Sequence, residues 1–179
     1  MKDLSLHLLD IAQNSVTAGS SEITIGIVDS DRLDMISISV EDNGCGMDEE
    51  FLKRVTDPFT TSRTTRKVGM GIPLFKLAAE MTGGSLDITS RVGQGTRISA
   101  SFGKSHIDRP PLGDIDGTII TLIQGSPEID FVYKHVTDKG GFTMETKTFK
   151  EELGDIPLNE PEVLNWIAGW LQENRENIY

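Results

Sequence analysis

The segment Met35–Asp42 (MISISVED) alternates apolar and polar residues and runs directly into Asn43-Gly44-Cys45-Gly46-Met47-Asp48. Strict alternation requires a strand with one buried face. The two glycines end it, because they open backbone conformations closed to other residues and let a second surface approach closely. A carboxylate, Asp42, therefore stands at the end of a half-buried strand beside a tight turn. Taken alone, this D-x-G-x-G pattern fits a structural turn or a calcium loop as well as a ligand pocket.

A half-buried strand needs partners. Glu22–Asp29 (EITIGIVD) has the same alternation and is separated from Met35 by a short polar stretch, so the two read as a hairpin. Leu4, Leu8, Ile11, Ala12 and Ser15 recur at helical spacing, which predicts an amphipathic helix over 2–18 with Gly19 as its stop. Residues 71–82 (GIPLFKLAAEMT) predict a second, well-buried helix, and 85–90 and 96–102 two more strands. Pro110 and Pro111 mark a connector, since neither can donate to a ladder. Beyond it, 118–123, 129–136 and 142–149 read as strands, and 160–177 as a final helix with Val163, Leu164, Ile167 and Leu171 in a stripe beside Trp166 and Trp170.

Charge narrows the function classes. The 179 residues hold 17 Lys+Arg against 28 Asp+Glu, net −11, which excludes a generic nucleic-acid binder. Residues 104–179, with 14 acids and 7 bases, are the more acidic part. Five of the ten bases in residues 1–103 fall together (Lys53, Arg54, Arg63, Arg66, Lys67), a cluster suited either to an anion or to a solvated loop. The single cysteine, Cys45, has no partner in the chain, and no apolar run approaches a bilayer span. The expectation is a cytoplasmic protein with no membrane segment.

Four stations in order give the Asp42 turn a chemical context. Asp10 and Asn14, at i and i+4, share one helix face and aim a carboxylate and an amide together. Asp42, Gly44 and Gly46 follow. Gly69-Met70-Gly71 then opens a helix, whose free N–H groups and positive dipole end suit phosphate. Last, Gly93-Gln94-Gly95-Thr96 turns into a strand. His7 lies on the face of Asp10 and Asn14, where it either tunes the carboxylate or is a surface residue; His106 and His135 have no evident companions, and no zinc pattern is present.

With these motifs in order over residues 4–102, the chain resembles the Bergerat-fold ATPases, which include DNA gyrase, the large heat-shock chaperones, histidine kinases and MutL. HLLDIAQNSVTAG resembles the N box, EDNGCGMD the first glycine box, DPFTTSR the phenylalanine-containing box of histidine kinases, VGMGIPLFK the second glycine box and GQGT the last. The resemblance implies an α+β fold, a two-layer α/β sandwich with a mixed sheet covered by helices, and ATP with Mg2+ as cofactors. It implies that Asn14 coordinates the magnesium, that Asp42 accepts from the adenine amine with Thr96 supporting the same edge, and that Gly44, Gly46 and Met47 shape the pocket. Residues 48–68 correspond to the lid, with Phe59, Thr61 and Arg63 in its kinase-type motif, and Gly69, Met70 and Gly71 lie at the phosphates. Asp10 stands where hydrolytic and serine-kinase branches carry a glutamate base; as the shorter aspartate it reads either as a catalytic base or as support for magnesium.

The expected organisation is a histidine kinase-like ATP-binding domain over 1–103, a connector over 104–117 and a C-terminal extension over 118–179. The N box opens at residue 4, so no phosphoacceptor hairpin is expected ahead of it. The extension reads either as strands and a helix that extend the sheet or as a docking or homodimerisation surface. The functional expectation is a Mg-ATP-binding protein that phosphorylates or switches a protein partner. Its alternatives are an autonomous ATPase driving client assembly and a non-catalytic nucleotide sensor. Solitary members of the superfamily further point to iron–sulfur redox or hydrogenase proteins as neighbours.

Overall fold

The computed structural model describes residues 3–57 and 70–179. Phe59, Thr61, Arg63 and Gly69, together with Arg66 and Lys67, lie outside the described residues.

Helix α1 (Leu4–Thr17) is capped by Asp3, whose carboxylate accepts from the Leu6 N–H at 3.0 Å. Its expected stripe is buried, and Ser5 and His7 are buried with it. Strands β1 (Glu22–Ser30) and β2 (Met35–Asp42) form the antiparallel hairpin, with Ile25 opposite Val40 and Ile27 opposite Ile38. Ile23, Ile25, Ile27, Ile36, Ile38 and Val40 share the inner face and are almost wholly buried, each contributing roughly 1.5–3 kcal/mol. A short helix, α2 (Glu49–Arg54), follows the glycine turn, capped by Asp48. Then come α3 (Gly71–Glu80), β3 (Leu86–Arg91) and β4 (Gly95–Gly103).

The remaining elements are α4 (Ile115–Gly125), β5 (Asp130–Thr137), β6 (Gly140–Glu145), α5 (Thr146–Leu153) and α6 (Pro161–Glu176). Two of them correct the sequence reading. Residues 118–123 are helical, not a strand: Ile115, Thr118, Ile119, Leu122 and Ile123 form a buried helical stripe, and Asp114 caps the N-terminus through the Gly117 N–H. That stripe outweighs the strand preference of the β-branched residues in TIITLI. The strand expected over 142–149 ends at Glu145, and α5 begins at Thr146.

One six-stranded sheet runs β3-β4-β2-β1-β5-β6, antiparallel throughout except for the parallel pair β1–β5. The extension thus continues the sheet of the first 103 residues. Its inner face is covered by helices, with α1 touching α3 on one side and α4 on the other, and α4 touching α6. The outer face presents Thr24, Ser37, Ser39, Ser99 and Lys134, which are half-buried or exposed. The stripe of α6 faces inward, and the Trp170 ring meets Phe142 and Phe149 edge-on, while Trp166 meets Phe149 but stays 51% exposed. The connector is also tied down: the N–H groups of Leu4 and Ser5 donate to the carbonyls of Pro111 and Leu112.

Candidate functional site

Asp42 is the last residue of β2 and keeps the inward parity of Ile36, Ile38 and Val40, so its carboxylate points into the gap between sheet and helices. Across the ladder its register partner is Thr96, the second residue of β4. The carboxylate is braced from two sides: Ser15 Oγ donates to Oδ2 at 2.5 Å, and the Gly44 N–H donates to Oδ1 at 2.9 Å. Thr96 Oγ1 lies 2.8 Å from Ser90 Oγ, which also accepts from the Met47 N–H at 2.8 Å.

The two glycine turns stack backbone on backbone. The Gly93 N–H donates to the Cys45 carbonyl at 2.8 Å. Gly46 has φ +69, and a Cβ there would lie 2.0 Å from the Arg91 carbonyl oxygen; Gly95 has φ +88, and its Cβ would lie 1.9 Å from the Asp42 carbonyl oxygen. Both positions thus require the glycine for conformation and for space. Gly44 is buried against Ala18 and Ser20 and supports the turn from behind.

Between these turns and α1 opens a cavity of about 470 Å³, within the range of small-molecule pockets. Asn14, Asp42, Gly46, Met47 and Thr96 line it together, as does the exposed Cys45. The walls are otherwise mostly apolar, supplied by Ile11, Phe51, Ile72 and Ile98. Asn14 Nδ2 is buried with no hydrogen-bond partner, so its amide has spare capacity beside the cavity. Asp10 and Gly71 stand next to each other just outside the lining: a Cβ on Gly71 would fall 1.9 Å from Asp10 Oδ2, so the glycine makes room for the carboxylate. Met70, the residue before α3, is 54% exposed.

The residues missed from sequence are those that hold others. Ser15 read as one more core position of α1, and Ser90 as a strand residue; only the fold shows that their hydroxyls meet Asp42 and Thr96. His7 is not at the surface: it is 4% exposed, stacked on Phe75 at a ring distance of 5.6 Å, and burial lowers its pKa below the ordinary value. Among the described residues no group of three His, Cys, Asp or Glu side chains is placed to hold a metal, and no helix is long and apolar enough to cross a membrane.

Comparison with known proteins agrees with this geometry. The profile of the histidine kinase-, DNA gyrase B-, and HSP90-like ATPases matches residues 2–106. A sensor protein of Shewanella frigidimarina is 35% identical over 103 residues, covering 56% of this chain and 16% of its own length. A sensor histidine kinase NtrY-like protein of Rickettsia conorii is 30% identical over 111 residues, covering 60% of this chain and 18% of its own length. The chain therefore spans less than a fifth of either relative. Among solved structures, the Aquifex aeolicus MutL ATPase domain complexed with ADP shares the fold at a TM-score of 0.50 and 16% identity, covering 86% of this chain and 68% of that one. With more than half its length matched in one ordered block, this chain belongs to the histidine kinase-, DNA gyrase B-, and HSP90-like ATPase family.

Proposed function

We propose that the chain binds Mg-ATP in the cavity between α1 and the two glycine turns and uses the nucleotide to phosphorylate or switch a protein partner. The observation that carries this reading is Asp42, an acceptor-only group braced by Ser15 and Gly44 at the base of an apolar slot. A flat base stacks against the Ile11, Met47, Ile72 and Ile98 walls, and its amino edge meets the carboxylate and the Thr96 hydroxyl. An adenine amine donates to Asp42, whereas the 6-oxygen of guanine meets it acceptor to acceptor, which favours ATP over GTP.

Asn14 is the described residue that would hold magnesium, through its amide oxygen. Magnesium characteristically keeps several waters and is held by one or two side chains together with nucleotide phosphates, so a single amide oxygen is a sufficient protein ligand. When bound, the ion neutralises phosphate charge. The nucleotide edge is thereby assigned to Asp42 and Thr96 and the phosphate end to Asn14 and the start of α3. The similarity to a protein named as a sensor histidine kinase favours transfer to, or switching of, a protein.

A second reading rests on Asp10. Its carboxylate packs against the first residue of α3 and one helical turn from Asn14, a position suited to hold and orient a water for attack on phosphate. The two readings are separated by phosphate release from the isolated chain. Tight, magnesium-dependent ATP binding with no steady release supports the partner-dependent reading. Steady release that Asp10→Asn abolishes, at an ATP affinity within a few fold of native, supports an autonomous ATPase. Absence of ATP binding in the presence of magnesium refutes both.

A further inference from the structure

The outward face of α6 is left uncovered by the fold. Glu162, Trp166, Gly169 and Glu173 stand at i, i+4, i+7 and i+11, so they share one stripe of the helix, and all four are exposed. The stripe lies on the side away from the buried Val163, Leu164, Ile167 and Leu171, and outside the block matched by the family. It places a carboxylate at either end, roughly 16 Å apart at helical rise, with an aromatic ring and a gap between them.

Two features of the stripe are unfavourable for the chain alone. The Trp166 ring is 51% exposed, yet it is seated edge-on against Phe149 at a centroid distance of 5.1 Å, so it is held in place while half in water. A fixed, half-exposed tryptophan is the kind of anchor in which protein interfaces are enriched. Gly169 is the second feature. Glycine inside a helix is less favourable than alanine, and here a Cβ would meet no atom within 4 Å, so nothing in the chain requires its absence. The missing side chain leaves a notch one turn from Trp166 that a second surface can approach closely.

Charge selects what approaches. Residues 145–176 hold eight acids against three bases. Two of those bases are engaged with carboxylates elsewhere: Lys150 with Asp130 at 2.8 Å and Arg175 with Asp116 at 2.7 Å. Among the described residues neither Glu162 nor Glu173 forms an ion pair. A second copy of the chain is disfavoured. An antiparallel crossing centred between Trp166 and Gly169 would set Glu162 against Glu173, and a parallel one would set each glutamate against its counterpart, like charge on like.

We propose that this face docks a basic amphipathic helix of a partner protein, whose apolar side chain fills the Gly169 notch against Trp166 and whose Lys or Arg side chains, about three turns apart, reach Glu162 and Glu173. The test titrates the full chain with a synthetic peptide of leucine and lysine patterned as an amphipathic helix. One control carries glutamate in place of lysine; a second shuffles the same leucines and lysines so that no helical face remains. None contains tryptophan, so fluorescence reports Trp166 and Trp170, and amide NMR shifts locate the contact. Saturable binding of the lysine helix is expected, with shifts centred on 162–173, no saturation by the glutamate peptide and roughly tenfold or more weaker binding of the shuffled one. Trp166→Ala and Gly169→Gln should each weaken binding roughly tenfold or more. Glutamine is a better helix former than glycine, so Gly169→Gln should melt no lower than native while binding is lost, and it decides the matter if Trp166→Ala is unfolded. No saturation by about 1 mM peptide, equal binding of either control, shifts centred away from 162–173, or affinity at or above native in Gly169→Gln would each overturn the proposal. So would a dimer in sedimentation that Gly169→Gln dissociates, which would assign the face to a second copy.

Discussion

Replacing Asp42 by asparagine keeps the shape of the side chain and exchanges one acceptor for a donor. In the native chain Oδ1 accepts from the Gly44 N–H and Oδ2 from Ser15 Oγ. A carboxylate offers about four lone-pair sites, so acceptor capacity is left over for the cavity. In Asp42→Asn the remaining oxygen stays with Gly44, because a backbone N–H in a stacked turn cannot reverse. The amide NH2 then falls on the Ser15 side, where the hydroxyl can rotate and accept. The fold is preserved, but a bound adenine amine now meets a donor. The loss is that of one hydrogen bond to a charged acceptor, about 1.5–3 kcal/mol, or roughly ten- to hundredfold in Kd. GTP should lose less, because the guanine oxygen gains a donor. Calorimetric titration of native and Asp42→Asn chains with ATP and GTP in magnesium measures both changes. An Asp42→Asn affinity for ATP within about twofold of native, or equal ATP and GTP binding by the native chain, would refute the reasoning.

Three further outcomes follow from the same geometry. Asn14→Ala should abolish the magnesium dependence of ATP binding, read by titration with and without the ion; a retained dependence would reject Asn14 as the ligand. Gly95→Ala places a Cβ 1.9 Å from a backbone oxygen at φ +88, whereas Gly19→Ala, at φ +76, meets no atom within 4 Å. Denaturant unfolding should therefore show only about 1–2 kcal/mol lost at Gly19 and clearly more at Gly95; equal losses would contradict the stacked turns. Burial depresses the pKa values of His7 and His135 below 6.5, so the unfolded chain takes up protons first on acidification. The stability they contribute is complete above about pH 6.5 and is lost as pH falls toward their folded values, by up to about 1.4 kcal/mol per unit for each histidine. His135→Gln should reduce that slope in pH-dependent melts.

Where periodicity and motif agreed, the fold was legible. The stripe of α1 and the alternation of β1 and β2 follow from short-range pattern, whereas the gathering of Asp42, Gly46, Met47 and Thr96 around one cavity was legible only through the ordered motifs of the family resemblance. The failures have separate causes. In TIITLI the β-branched residues favour a strand, but the helical stripe begins earlier, at Ile115, inside what read as a connector between two prolines and a glycine. The break at Glu145 was hidden because Phe142 and Phe149 both pack inward, one from a strand and one from a helix. Ser15 and His135 gave no signal for Asp42 and Tyr179 because these partners lie 27 and 44 residues away, where only tertiary structure brings them into contact, and the Ser90–Thr96 contact depends on the exact register of the β3–β4 hairpin.

The parallel pairing of β1 with β5 has a consequence for synthesis. Glu22 is paired with Asp130, 108 residues later, and the strand it belongs to is central to the sheet. At roughly 5–20 residues per second, a ribosome makes that partner about 5–20 s after β1 itself. During that interval the β1–β2 hairpin and β4 can assemble, but one flank of β1 carries a row of unpaired N–H and C=O groups next to Ile23, Ile25 and Ile27. An exposed apolar edge of this kind is a template for intermolecular pairing. Ribosome-bound chains stopped before residue 130 should therefore engage chaperones that the finished protein does not need.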